Sequence, residues 1–179
     1  MNHPMLQNAS QRQYIKYIFS LLLFLVISSS AIAKEGGAVS IVYKLYKDYA
    51  WEILLSDFPK NDRELSGKSF EWQPKNILTR YLDNELANLF IRDQNCIKKN
   101  PGELCKLEFS PIWNSQDPAA YDMKITDEGK GRVNVEYVYP SNQQKIKLSF
   151  YVRQTETGWR IFDICYEDGS CLKKILGNH

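Results

Sequence analysis

The residues whose types and spacing could carry chemistry are few: four cysteines and one carboxylate set among aromatic residues. Cys96, Cys105, Cys165 and Cys171 are the cysteines of the chain. Neither close pair has C-x-x-C spacing, and no histidine stands beside them to complete a zinc set, so no metal ligand set is expected. The histidines are His3 and His179, near the two ends. A Ser-His or Cys-His nucleophile and a His-based metal site therefore have no base or ligand to work with, and no cofactor is expected. Carboxylates with tyrosines remain. In an alternating strand Asp163 shares a face with Trp159 and Ile161; if that face lines a hollow, desolvation raises its pKa. Tyr121, Tyr137, Tyr139 and Tyr151 fall on neighbouring strands, so an acid and a phenol could move protons there. The commoner role of an inward aspartate is to brace a backbone N–H or a neighbour such as Arg160, and that reading is adopted.

The N-terminal segment sets the compartment. Residues Met1 to Ser20 hold Arg12 and Lys16 and no acid, Tyr17 to Ile27 are nearly all apolar, and Ser28 to Ser30 lead into Ala31-Ile32-Ala33. A positive stretch, an apolar stretch and an A-x-A site in that order read as a cleaved secretory leader over residues 1–33. A retained membrane anchor is the competing reading, but the apolar core proper is short for a span. No cysteine sits at the cleavage point to take a lipid, so a periplasmic protein without a stable membrane anchor is expected. An even cysteine count in an exported chain reads as disulfides. Of three possible pairings, short separation favours Cys96 with Cys105 and Cys165 with Cys171.

Charge adds an exclusion. Without Arg12 and Lys16 the count is 21 Lys+Arg against 21 Asp+Glu. A formally neutral domain with only short lysine pairs lacks the basic face that nucleic-acid binding needs.

The elements that must position these residues follow from hydrophobic period. Residues 34–179 read as one domain. Val39, Val42, Tyr43, Tyr46, Ala50, Ile53 and Leu54 recur at helical steps, with Ile41, Leu45 and Tyr49 beside them. Lys44, Lys47, Asp48 and Glu52 keep a narrower polar side, so this helix is expected in the hollow of a curved sheet. Asp57 to Gln73 reads as a loop, and Pro74 opens a second helix with Ile77, Leu78, Tyr81, Leu82, Leu86, Leu89 and Phe90 as its inner stripe. From Tyr121 the period becomes two, in three alternating strands and a fourth, Trp159 to Tyr166, apolar on both faces. Short breaks at Asp127 to Lys130, Pro140 to Gln144 and Gln154 to Gly158 make these an antiparallel meander. Leu172 to Leu176 adds a final helical turn. The sum is an α+β class, helices followed by a curved antiparallel sheet.

The element order and the segment Gly158-Trp159-Arg160-Ile161-Phe162-Asp163-Ile164 resemble the nuclear transport factor 2-like cone fold. Within it the chain is similar to a group of bacterial envelope proteins, through Tyr49-Ala50-Trp51, Pro111 to Gln116-Asp117, and the terminal strand. The resemblance implies a cone-shaped half-barrel and puts Gln116-Asp117-Pro118 where the cone's mouth could be. Some members of that group carry a lipid-anchor cysteine, which this sequence lacks.

Trp113, Gln116 and Asp117 in the loop, and Trp159, Arg160 and Asp163 on the last strand, are the candidate binding residues. Trp72 and Trp113, in irregular segments, are the expected exposed aromatic anchors. The expected function is stoichiometric binding of a protein partner, a toxin or an envelope component. The alternatives are a small apolar or lipid ligand in the cone, or an isomerase- or dehydratase-like enzyme built on Asp163.

Overall fold

The structure is a computed structural model that describes residues 37–54, 68–103 and 105–177. The expected leader, His179 and most of the expected loop from Asp57 lie outside the described residues.

The first helical period divides into α1 (Ala38–Tyr49) and a single turn, α2 (Trp51–Leu54). Ala38, Ile41, Val42, Leu45, Tyr46 and Tyr49 are its buried face. Helix α1 packs against all four strands, as its wide apolar stripe requires. Glu52, assigned to the polar side by spacing, is buried instead.

The second period is not one helix. After a 3₁₀ turn, Phe70–Trp72, come a short α3 (Lys75–Leu78) and the long α4 (Asn84–Lys99). Asp83 causes the break: extended at φ −69° and ψ 167°, it accepts the Leu86 N–H with its side chain and so caps α4. An N-cap aspartate supplies an acceptor that the first turn lacks. The chain just before it adds to the sheet. Ile161 donates its N–H to the Tyr81 carbonyl at 2.8 Å, and the Asp83 N–H bonds the Ile161 carbonyl at 2.9 Å. Leu82 thus pairs in parallel with Ile161.

The sheet is a four-stranded antiparallel meander in the order β1 (Tyr121–Gly129), β2 (Arg132–Tyr139), β3 (Gln144–Thr155) and β4 (Gly158–Tyr166). It is curved and unclosed, and the described architecture is α+β. Its inner rows run across the strands as Val133, Phe150 and Ile164, and as Val135, Leu148 and Tyr166. All six are buried. Gly131, at φ +75°, lets the β1–β2 turn approach β3 so closely that a Cβ there would lie 2.3 Å from the Val152 carbonyl oxygen. A final helix, α5 (Leu172–Gly177), buries Leu172 and Leu176 against α4 and β4. Cys96 pairs with Cys105 and Cys165 with Cys171, the two local disulfides expected from spacing.

Candidate functional site

The hollow of the sheet is filled by the chain itself. The segment Pro111-Ile112-Trp113 turns into it, and Ile112 and Trp113 are 0% exposed. Three consecutive carbonyls of this plug each accept a tyrosine hydroxyl from a different element. Tyr166 of β4 donates to Pro111 at 3.1 Å, Tyr46 of α1 to Ile112 at 2.6 Å, and Tyr137 of β2 to Trp113. Burial pushes all three phenols above their ordinary pKa, so they stay protonated as donors. The Trp113 ring meets Tyr46 and Tyr137 edge-on at 4.9 and 5.9 Å. Its indole N–H bonds Glu52 Oε2 at 2.8 Å. Trp113 is therefore a core residue and not the exposed anchor that its irregular segment suggested. Trp72, 41% exposed, is where such an anchor was expected.

Glu52 was not singled out by the sequence. Its carboxylate also accepts the Phe70 N–H at 2.8 Å and the Ser110 hydroxyl at 3.4 Å, which joins α2, the 3₁₀ turn and the plug. Burial raises its pKa, and the hydrogen bonds from Phe70, Trp113 and Ser110 oppose that rise. Near it Glu71 is pushed up to about 7 by burial and further by the Glu52 charge. Among the described residues, Glu71 Oε2 is buried without a hydrogen-bond partner.

Asp163 does not share a face with Trp159 and Ile161. Tyr151 pairs with Asp163 but the next residue, Val152, pairs with Ile161. Phe162 is thus an extra residue, a bulge that switches faces. Ile161 and Ile164 both reach the core, while Asp163 falls beside Tyr151 on the outer side. There its Oδ1 accepts the N–H groups of Ile164 at 2.9 Å and Lys173 at 3.0 Å. This is a brace for the start of α5. Asp163 also lies close to Cys165 and Cys171, but both sulfurs are bonded to each other and offer no thiolate.

The remaining candidates occupy two ends of the sheet. Gln116 and Asp117 are exposed, just after the plug. The Ser115 Oγ accepts the Asp117 N–H at 3.2 Å. The Tyr139 hydroxyl holds the Asp117 carbonyl at 3.0 Å, at the end of β2. Trp159 and Arg160 begin β4, where β3 ends, and so stand at the opposite end. One continuous rim is not formed by these residues.

At that opposite end lies a cleft of about 730 Å³ between the Thr79 to Glu85 segment and the β3–β4 hairpin. Arg80, Arg153 and Arg160 line it, with Asp83, Asn84, Glu156 and Thr157. Arg153 pairs with Asp83 and stands 5.4 Å over the Phe162 ring. Arg160 donates Nε to the Thr79 carbonyl at 2.8 Å and Nη1 to its neighbour Trp159 at 2.7 Å. Sequence reasoning found Arg160 and missed Arg80 and Arg153. The signal was present for Arg153, because a two-residue turn at Glu156-Thr157 sets it opposite Arg160.

Among the described residues no helix is long and apolar enough to cross a membrane. Comparison with known proteins finds no matching family model, no matching curated protein and no matching solved structure.

Proposed function

We propose that this chain is an exported, periplasmic binding protein that acts by stoichiometric contact with another protein, without turnover. A toxin-neutralising immunity protein and an accessory subunit of an envelope complex are the two roles that fit. A nuclear transport factor 2-like cone fold is part of this reading, supported by element order and by a long helix lying against a curved meander.

The observation that carries the proposal is the plug. A small apolar ligand or a substrate would need the hollow that Ile112 and Trp113 occupy, since such sites are concave and largely pre-formed. Asp163, the acid on which an enzyme would rest, spends Oδ1 on two backbone N–H groups. The leader pattern and two local disulfides support export.

Site-specific photo-cross-linking in the producing cell tests this. A benzophenone side chain at Gln116 or Trp159 is expected to trap one protein in equimolar yield, and the same group at Lys130 is expected to trap none. Absence of any cross-linked protein from either position, in cells that express the neighbouring genes, would sink the proposal.

A further inference from the structure

We propose that the cleft between Thr79–Glu85 and the β3–β4 hairpin receives an acidic segment of the partner protein, with carboxylates engaged by Arg80, Arg160 and the first turn of α4. This deepens the protein-binding reading and rests on it.

The argument begins with a charge imbalance that the fold maintains. Arg153 and Arg160 stand directly opposite each other on β3 and β4, an arrangement that costs stability for like charges. Among the described residues, of this pair only Arg153 is matched with an acid, Asp83. Arg160 is aimed by two carbonyls, which fix its guanidinium without neutralising it. Arg80 is exposed, and its side chain makes no hydrogen bond or ion pair among the described residues. On the acidic side, Asp83 is held by Arg153 and by the Leu86 N–H. Glu85 is paired with Lys173. Glu156, exposed on the hairpin turn, is left to face two uncompensated guanidinium groups.

Helix α4 adds to the same imbalance. Its cap accepts from Leu86, so the N–H groups of Asn84 and Glu85 keep their donor capacity at the cleft wall, at the positive end of a 16-residue helix.

The ligand class follows from shape and sign. Planar guanidinium forks match carboxylates two bonds at a time. A cleft of about 730 Å³ is large for a lone anion and suits several side chains. Asn84 lines it as a partner for a peptide backbone, while the Thr155 hydroxyl is held within the hairpin by the Gly158 carbonyl at 2.7 Å. Glu85 and Glu156 at its margin, in a domain without net charge, oppose a polyphosphate backbone and would pair with any lysine that flanks the acidic run.

The test is an NMR titration of the full chain with the peptide acetyl-Glu-Asp-Glu-Asp-Glu-amide. The amide signals of Asn84, Glu85, Glu156 and Thr157 and the Arg160 Nε signal are expected to move. Arg80→Gln removes no native hydrogen bond, so it should keep the melting temperature and weaken the peptide about tenfold, as loss of a charged fork does. Arg160→Gln should weaken it at least as much. Three results overturn the proposal: no movement of these signals at about 10 mM peptide, the weak end of specific binding; unchanged affinity in Arg80→Gln; or inorganic phosphate moving the same signals at lower concentration than the peptide. If the cleft fails while cross-linking from Gln116 traps a protein, the binding reading stands without this site. If both fail, both fall.

Discussion

Glu52 and Trp113 are joined by a 2.8 Å hydrogen bond from the indole Nε1–H to carboxylate Oε2, across 61 positions of sequence. That bond ties the turn after the central helix to the plug in the sheet's hollow. Glu52→Ala leaves three donors without an acceptor, from Trp113, Phe70 and Ser110. It should cost about 3 kcal/mol or more, since a buried donor without a partner loses its full desolvation energy. Glu52→Gln retains one good acceptor and turns an NH₂ toward the other donors, so a cost of about 1 to 2 kcal/mol is expected. Urea unfolding followed by tryptophan fluorescence measures both. Equal stability of Glu52→Ala and the parent would show that the carboxylate does not hold the plug.

Glu71 gives the domain a pH dependence of opposite sign to that of a salt-bridged acid. Its folded pKa is raised to about 7, so the folded state holds a proton that the unfolded chain releases at lower pH. Stability from this group is full below the unfolded carboxyl value and is lost as pH rises through about 7. The loss is expected to be about 3 kcal/mol at most between pH 4.5 and 8, at roughly 1.4 kcal/mol per pKa unit. Glu71→Gln should flatten that part of the profile and be the more stable form at pH 8. Urea midpoints for parent and variant at pH 5, 6.5 and 8 decide it. Parallel profiles would rule out Glu71 as the source.

The plug predicts a division between neighbouring loop residues. Trp113→Ala should cost about 3 to 5 kcal/mol, the usual loss for a large buried aromatic. Tyr46→Phe, Tyr137→Phe and Tyr166→Phe should each cost about 1 kcal/mol or somewhat more, because each leaves a buried carbonyl unpaired. Gln116→Ala, three residues on and exposed, should stay within about 0.5 kcal/mol of the parent. Thermal melts of the set test the order. A Trp113→Ala protein as stable as Gln116→Ala would place Trp113 outside the core.

What the sequence made legible was whatever depends on local period. The strands and their hairpins, the central helix and both disulfide pairs follow from alternation, helical spacing and short separation. Three features set by tertiary partners escaped. Asp83 sits inside an unbroken helical stripe, yet its extended backbone is fixed by Ile161, 78 residues on. Glu52 looks like one more polar-side residue until the Trp113 indole arrives from a distant loop. The bulge at Phe162 explains why β4 reads as apolar on both faces: the period slips by one, and Asp163 changes sides. Arg153 and Arg160 were within reach, since the two-residue turn fixes their pairing, but Arg80 reaches the cleft only through the broken helix.

Asp163 separates the binding account from an enzymatic one. Its Oδ1 accepts the Ile164 and Lys173 N–H groups, so Asp163→Ala removes the brace at the start of α5. A cost of about 1 to 3 kcal/mol is expected, as for buried donors left unsatisfied. Asp163→Asn keeps a carbonyl oxygen in the same place and loses only the charge, so a cost under about 1 kcal/mol is expected, within the range of a neutral-for-charged hydrogen bond. Neither change touches the arginine cleft or the exposed loop at Gln116 and Asp117. Capture of the protein partner should therefore fall only as far as folding falls, and Asp163→Asn should capture as the parent does. Asp117→Ala is the complement: it should melt with the parent, because an exposed loop side chain tolerates removal, and weaken capture. Melting temperature and cross-linking yield, scored together for the three variants, make the comparison. Should Asp163→Asn remain folded and partner-competent while abolishing turnover of a small molecule by the parent, the carboxylate is catalytic and the binding account is wrong.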